Sequence, residues 1–146
     1  MKEASDLYAL RGLLEGFASR EFARTADDSA LQKFGEAVKE LRVKALSRDR
    51  DGVLRAKTQL YSVLLDQCGN DLIKEILTSL YARINLLRAT SLMQADRLPA
   101  SLKEIDKLFK LLKAHDEDGA EEAARTHVAN ARAAAMHMLE KNQAES

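Results

Sequence analysis

The residues most able to do chemistry in this chain are its histidines, its cysteine and its carboxylates. The three histidines are His115, His127 and His137, and none has a glutamate three residues before it. Metal enzymes built in helical bundles use such Glu-x-x-His pairs. The sequence also lacks His-Glu-x-x-His and Cys-x-x-Cys, which are common zinc spacings, and it lacks a glycine-rich phosphate loop. It therefore gives no positive support for an enzyme or for a bound cofactor.

The single cysteine, Cys68, lies in an apolar stretch beside a predicted helix stop and has no catalytic signature around it. We expect it to be a small packed side chain. One cysteine cannot close an intramolecular disulfide, so a reducing compartment is expected, with the cytoplasm as the default.

Length and composition restrict the class of protein further. A chain of 146 residues has room for one hydrophobic core, since domains usually contain about 100–150 residues. Hydrophobic residues make up 46%, and 23 basic residues balance 23 acidic ones. This composition predicts a globular domain without the basic excess that DNA binding requires. No signal peptide and no membrane-spanning stretch are expected.

The elements that position these residues are predicted to be helices. One proline, six glycines and few aromatic residues favour helices over strands. Apolar residues recur at helical spacing in six segments, so we expect an all-α bundle of six or seven mostly antiparallel helices. The first helix is predicted over about residues 5–24 and the sixth over about residues 119–141. The first is expected to face the core with Leu7, Leu10, Leu14 and Phe17.

Capping patterns predict several helix ends. The pair Gly69-Asn70 is expected to separate the third helix from the fourth, whose broad apolar face makes it the candidate for the centre of the bundle. Ser101 and Glu104 fit a capping box that would start the fifth helix, with Pro99 outside it. A second box, formed by Asp118 and Glu121, would start the sixth helix.

Several short motifs resemble a known family. They are Leu10-Arg11 with Glu15, Leu60-Tyr61 through Gly69-Asn70, and Arg125-Thr126-His127-Val128. In this order along about residues 5–140 they resemble the FCD effector domain of FadR-type GntR transcription regulators, in particular the shorter VanR-like branch. The resemblance implies a single ligand-sensing and dimerisation domain over residues 1–146. It also implies that DNA is contacted only through a winged-helix domain, which is not visible in this sequence.

Most members of that family bind a divalent metal, which this sequence does not fit. The family's aspartate and first histidine fall on Lys57 and Tyr61, the next histidine falls on Ile105, and only His127 is retained. An ammonium group repels a cation, a phenol must lose a proton with a pKa of about 10 to coordinate well, and isoleucine cannot coordinate. The resemblance therefore implies a degenerate site, and we expect no metal.

Lys57 and Tyr61 still share one face of a helix, because they are four residues apart. Our hypothesis is that the Lys57 ammonium replaces the charge of the metal and, with Arg11, binds a small anion such as a carboxylate. The predicted ligand-binding residues are Arg11, Lys57, Tyr61, Ile105 and His127.

Simpler interpretations of these residues remain open. Lys57 alone would be a solvated lysine, and Arg11 would form a surface pair with Glu15. Tyr61 and Ile105 would fill and close the cavity, and His127 would be a core histidine. Arg83, Arg88 and Arg97 are either solvated charges or groups within reach of a ligand.

The function predicted from the resemblance is therefore effector sensing by a homodimer, with a small organic acid as the ligand and no membrane partner. One alternative is a ligand-free helical dimerisation module, which a filled core would favour. Another is an acyl-chain sensor, which a long tunnel lined by leucines would favour.

Overall fold

The computed structural model describes residues 2–92, 94 and 96–145. These residues form a bundle of six α-helices without a strand. The helices are α1 (Lys2–Thr25), α2 (Asp28–Leu46), α3 (Arg50–Gln67), α4 (Asp71–Ser91), α5 (Arg97–Lys113) and α6 (Glu117–Glu145). The predicted all-α architecture is confirmed. Among the described residues, no helix combines the length and apolar character needed to span a membrane.

Side-chain caps fix several of the helix starts. Asp27, Asp49 and Asn70 accept hydrogen bonds from backbone amides in the first turns of α2, α3 and α4, at 2.8, 2.9 and 3.0 Å. Each of these residues supplies the acceptor that a first-turn amide lacks within the helix. The predicted break at Gly69-Asn70 is confirmed, since α3 ends at Gln67 and α4 begins at Asp71.

Gly69 occupies the left-handed backbone region, with a φ of 74°. A Cβ atom added at this position would meet nothing within 4 Å. We expect Gly69→Ala to cost about 1 kcal/mol in the free energy of unfolding, because backbone strain is its only penalty. Gly12→Ala is the matched control, since its Cβ would meet Val128 at an ordinary 3.5 Å inside α1. Urea unfolding should show a gain for Gly12→Ala. Equal effects of the two substitutions would contradict this explanation.

Two predicted capping boxes are wrong. Helix α5 begins at Arg97, so Pro99 lies inside its first turn, where proline is tolerated because the first amides have no helical partner. Ser101 is therefore an interior, fully buried residue of α5. At the start of α6, Asp116 rather than Asp118 accepts the hydrogen bond from the Gly119 amide, at 3.0 Å.

The centre of the bundle is α1, and the expectation that α4 occupies it is wrong. Helix α1 packs against α3, α4, α5 and α6, whereas α4 packs against α1, α3 and α6. Of the predicted apolar stripe on α1, Leu7 and Leu14 pack against the core, but Leu10 and Phe17 are 41% and 40% exposed. The face that α1 buries instead contains charged and polar side chains, among them Arg11, Glu15 and Ser19.

Most of the core is apolar and surrounds this polar region. Phe34 lies 5.6 Å from both Phe22 and Phe109, between ring centroids, and joins α1, α2 and α5. Ala124, Val128 and Ala135 of α6 are buried, and Ala131 is half-buried. Cys68 is also buried, as the sequence predicted, and its thiol lies 3.2 Å from the Leu65 carbonyl oxygen.

Candidate functional site

The five residues predicted to bind a ligand are all buried. They come from four helices: Arg11 from α1, Lys57 and Tyr61 from α3, Ile105 from α5 and His127 from α6. Each is at most 3% exposed. The interpretation of Lys57 as a solvated lysine is therefore wrong. Arg11 does pair with Glu15, at 2.9 Å, but both side chains are 1% exposed, so this is a buried ion pair rather than a surface contact.

A chain of hydrogen bonds connects the helices through Tyr61. Arg11 Nη2 donates to the Tyr61 hydroxyl at 2.9 Å, and that hydroxyl lies 3.1 Å from Nε2 of His127. Nδ1 of His127 lies 2.6 Å from a carboxylate oxygen of Glu104. An ionised carboxylate only accepts, so Nδ1 carries the proton and Nε2 of the neutral ring accepts from Tyr61.

The neutral state of His127 follows from its surroundings. Burial is the main cause that lowers its pKa, and the charge of Lys57 lowers it further, to about 4. The hydrogen bond to Glu104 acts in the opposite direction but does not compensate. At neutral pH the contact between His127 and Glu104 is therefore a hydrogen bond between a neutral ring and a carboxylate.

Glu104 is the acceptor on which the network converges. Besides His127, it receives two hydrogen bonds from Arg97, at 3.1 and 2.8 Å, and one from Asn130 at 2.9 Å. Burial alone would raise the pKa of Glu104, but these donors, with His127 first, lower the pKa to about 2. The carboxylate is therefore ionised at all physiological pH values and fixes α5 against α6.

Lys57 has a different environment. Its ammonium nitrogen lies 2.6 Å from the Ser101 hydroxyl oxygen, and no carboxylate contacts it among the described residues. Burial lowers the pKa of Lys57 well below its ordinary value of 10.5, and the nearby charges of Arg11, Arg88 and Arg97 act in the same direction. The amine is thus a buried basic group whose charge lacks a countercharge in direct contact.

Two stacked tyrosines lie close to two arginines in this region. The rings of Tyr61 and Tyr81 lie 5.0 Å apart. The Arg11 guanidinium carbon is 5.3 and 5.6 Å from their centroids, and that of Arg88 is 5.8 and 5.7 Å away. Tyr81 also donates to Glu15 at 3.0 Å. Tyrosine faces stabilise a guanidinium group through cation–π attraction.

Comparisons with known proteins identify the family and the fold of this bundle. The FCD domain family matches residues 6–130, which is most of the chain. The chain belongs to the FCD domain family. The structure of Streptococcus agalactiae GntR is similar to this chain, with a TM-score of 0.76 and 22% identity over 88% of this chain. The alignment covers 57% of the length of that protein, so this chain matches little more than half of it. No curated protein matches the sequence.

The residues of this FCD domain do not suit the metal that the family resemblance implies. At the expected ligand positions, Lys57 presents a basic nitrogen, Ile105 presents hydrocarbon and His127 directs Nε2 to Tyr61. The described residues also contain no group of three or more histidine, cysteine, aspartate and glutamate side chains with a geometry able to hold a metal ion. We therefore derive no chemistry from a metal at this site.

One cavity of the FCD domain reaches this region. It lies between α3 and α4 and has a volume of about 320 Å³. Tyr61, Tyr81 and Arg88 line it, together with the hydroxyls of Thr58 and Ser62. Arg11, Lys57, Ile105 and His127 are not among its lining residues. The buried network is thus closed by its own hydrogen bonds, and a ligand must displace some of them to reach Lys57.

Sequence reasoning missed several members of this network. The capping-box spacing predicts that Ser101 and Glu104 form a helix cap, and the sequence patterns do not single out Tyr81. Arg88 and Arg97, which solvated charges explained equally well, are 5% and 8% exposed. Arg83, on the same helix as Arg88, pairs with Glu3 at the surface. His115 lies outside the network, with Nδ1 2.8 Å from the Ala23 carbonyl oxygen. The one sequence signal for these network residues is that basic residues recur within otherwise apolar helix faces.

The buried histidine predicts a pH dependence of stability. Unfolding restores the pKa of His127 from about 4 to 6.5, so the unfolded chain binds a proton that the folded chain does not. The contribution of His127 to stability is therefore complete above pH 6.5, and about 3 kcal/mol of it is lost as the pH falls to about 4. Urea unfolding between these values should show this loss, and His127→Asn should remove most of its slope. If His127→Asn and the wild type show the same slope of stability against pH, the assignment of this slope to His127 is contradicted. The control variant His137→Gln should keep the wild-type slope.

Proposed function

We propose that this FCD domain is the effector-sensing and dimerisation domain of a GntR-type transcription regulator, and that it binds a small carboxylate in a pocket that needs no metal. Membership of the FCD family supports the regulatory role. The formal net charge of zero argues against DNA contact by this domain itself. DNA binding would then belong to a winged-helix domain of the same regulator, and catalysis has no part in the proposal.

The observation that carries this proposal is an excess of buried positive charge. Four basic residues are buried in the region, and they are Arg11, Lys57, Arg88 and Arg97. Two carboxylates face them: Glu15 pairs with Arg11, and Glu104 pairs with Arg97. Lys57 and Arg88 are left without a carboxylate among the described residues. Burying a basic group without a countercharge is costly, so a core that contains two such groups favours an anionic ligand.

The available interactions are sufficient for recognition of a small acid. Hydrogen bonds to charged groups contribute roughly 1.5–3 kcal/mol each. The amine of Lys57, the guanidinium of Arg11 and the hydroxyl of Tyr61 together would supply enough for micromolar affinity, which corresponds to about 8 kcal/mol, if apolar contacts add to them.

Binding at these groups would be coupled to the packing of the helices. A carboxylate that takes the Arg11 guanidinium or the Tyr61 hydroxyl must break the hydrogen bond that joins α1 to α3. Loss of the Tyr61–His127 contact would release α3 from α6 in the same way. The ligand would change the arrangement of the dimer only as far as its affinity differs between the two arrangements.

Proton uptake provides a direct test of the role of Lys57. A bound carboxylate should raise the lowered pKa of Lys57. At pH values between the pKa of the free domain and that of the complex, binding should therefore take up a proton and become tighter as the pH falls. A panel of mono- and dicarboxylates, screened by thermal shift, would first identify an acid that binds. Calorimetry of that acid in phosphate and in Tris, whose ionisation enthalpies differ, then measures the number of protons exchanged.

Two variants make this test specific. Lys57→Met should abolish proton uptake and lower the affinity for the acid at least tenfold. Lys107→Met, which removes an exposed lysine of α5, should change neither. Unchanged affinity and proton uptake in Lys57→Met, or failure of every acid in the panel to bind, would contradict the proposal.

The alternative of a ligand-free helical interaction module is favoured by one observation. Arg11, Tyr61 and His127 satisfy one another, and Ile105 is packed at 1% exposure. In that case the polar network would only fix the packing of the helices, and Lys57→Met would have no effect on any ligand. The acyl-chain alternative calls for a leucine-lined tunnel, but Leu65 is the one leucine among the described residues that line the cavity which reaches the network.

A further inference from the structure

Arg88 on α4 is a buried cation whose hydrogen-bonding capacity is mostly unused. Its side chain is 5% exposed, and Nε and Nη1 have no hydrogen-bond partner among the described residues. Only Nη2 is engaged: it donates to the Asn85 side-chain oxygen at 2.6 Å and lies 3.4 Å from the Thr58 hydroxyl. A guanidinium group has five N–H donors and cannot lose its charge in a protein. Buried donors without partners are costly, so their persistence calls for an explanation.

No carboxylate among the residues that the structure describes explains these unpaired donors. The described contacts of Arg88 are to neutral oxygens and to the faces of Tyr61 and Tyr81. Burial lowers the pKa of Arg88 from its ordinary value, and the charge of Arg11 contributes to this effect. The other two buried arginines of this region each form an ion pair, Arg11 with Glu15 and Arg97 with Glu104.

The location of Arg88 supplies the second observation. It lines the cavity of about 320 Å³ between α3 and α4, a volume at the lower end of the range for small-molecule sites. The cavity is also lined by Tyr61 and Tyr81, by the hydroxyl-bearing Ser62 and Thr78, and by Lys74, which pairs with Asp66. A small molecule with one anionic group and a short apolar or hydroxylated body suits such a lining.

We propose that Arg88 forms an anion-binding subsite in the cavity between α3 and α4, and that this subsite takes the carboxylate group of a small organic acid. Nη1 and Nη2 form one edge of the guanidinium group, and a carboxylate that replaces Asn85 and Thr58 at Nη2 engages both nitrogens together. The ligand thus meets Arg88 directly from the cavity and does not depend on opening the network around Lys57. Asn85 and Thr58 are positioning residues that hold the guanidinium group in place before the ligand arrives.

The resonance of the Arg88 Nε–Hε group reports on this contact directly. Protein labelled with ¹⁵N is titrated with sodium acetate and with sodium benzoate, and sodium chloride serves as the control for ionic strength. The Arg88 signal is assigned by its loss in Arg88→Lys, while Arg83→Lys removes the signal of an exposed arginine on the same helix. We expect a saturable shift of the Arg88 signal with at least one of the two carboxylates and none with chloride.

A second variant measures the contribution to affinity. In Arg88→Met, the shifts of the backbone amide signals of Ser62 and Thr78, which line the cavity, measure binding of the carboxylate. We expect the affinity to fall at least tenfold. If Arg88→Met does not fold, the titration of the wild-type Nε–Hε signal still decides the matter. An Arg88 signal that does not move, or that moves equally in chloride, would overturn the proposal.

The same titration separates this inference from the proposed function, because the subsite stands on Arg88 and its cavity. An Arg88 signal that does not shift, together with a lower affinity for an acid in Lys57→Met, overturns the subsite and leaves the role of Lys57 intact. A saturable Arg88 shift that persists in Lys57→Met supports the subsite whatever the outcome for Lys57.

Discussion

Replacement of Glu104 by glutamine is expected to lower the free energy of unfolding by about 3–5 kcal/mol. The carboxylate receives hydrogen bonds from His127, Arg97 and Asn130, and its side chain is 16% exposed. A neutral amide would leave the buried Arg97 guanidinium without a countercharge, and uncompensated buried charges account for losses of this size. Urea unfolding monitored by circular dichroism would measure the change.

Asp106→Asn provides a matched control on the same helix. Asp106 forms its ion pair with Arg42 at the surface, where the two side chains are 39% and 48% exposed. Exposed pairs contribute little, so we expect a change of less than about 1 kcal/mol. Similar losses in the two variants would show that Glu104 does not organise the network. The Glu104 variant should also weaken the hydrogen bond from Nδ1 of His127, since a neutral amide oxygen is a weaker acceptor than a carboxylate.

Replacement of Lys57 by methionine is expected to have the opposite effect on stability and to weaken binding of the acid. Methionine has a similar volume and no charge, so the free energy of unfolding should rise by about 1–2 kcal/mol at pH 7. Gains of this kind occur at sites where function maintains an unfavourable group. If the hydrogen bond from Lys57 to Ser101 instead stabilised the fold, the variant would be less stable than the wild type. That result would contradict the proposed role of Lys57.

The pH dependence of this gain follows from the lowered pKa of Lys57. Between the folded pKa and the unfolded value of 10.5, the unfolded chain binds a proton that the folded chain lacks. Wild-type stability therefore rises with pH through this range, and the advantage of methionine should be largest at low pH and vanish above 10.5. An advantage that is constant with pH would assign it to packing instead.

Much of the fold could be predicted from the sequence because the signals are local. Apolar spacing and caps placed six helices, and the break at Gly69-Asn70 was correct because a left-handed glycine and a capping asparagine act within a few residues. Lys57 and Tyr61 were expected on one face, and the structure buries both. This expectation needed only the geometry of a helix.

The errors arose where the partner of a residue lies on a distant helix. Ser101 and Glu104 have the spacing of a capping box, but Ser101 meets Lys57 of α3 and Glu104 meets His127 of α6. On α1, apolar periodicity selected Leu10 and Phe17, while the central position of the helix buries a polar face whose partners are Tyr61 and Tyr81. A hydrophobic pattern cannot identify such a face, because charged residues are usually exposed.

The central proposal is that the buried amine of Lys57 takes the place of the metal that the family resemblance implies, and that an organic acid binds there. Native mass spectrometry of the protein, purified without chelator, tests this claim most directly. We predict chains that carry no metal and a fraction that retains a small organic acid, which the Lys57→Met variant loses. A divalent transition metal bound at one ion per chain, or an acid retained equally by Lys57→Met, would contradict the account.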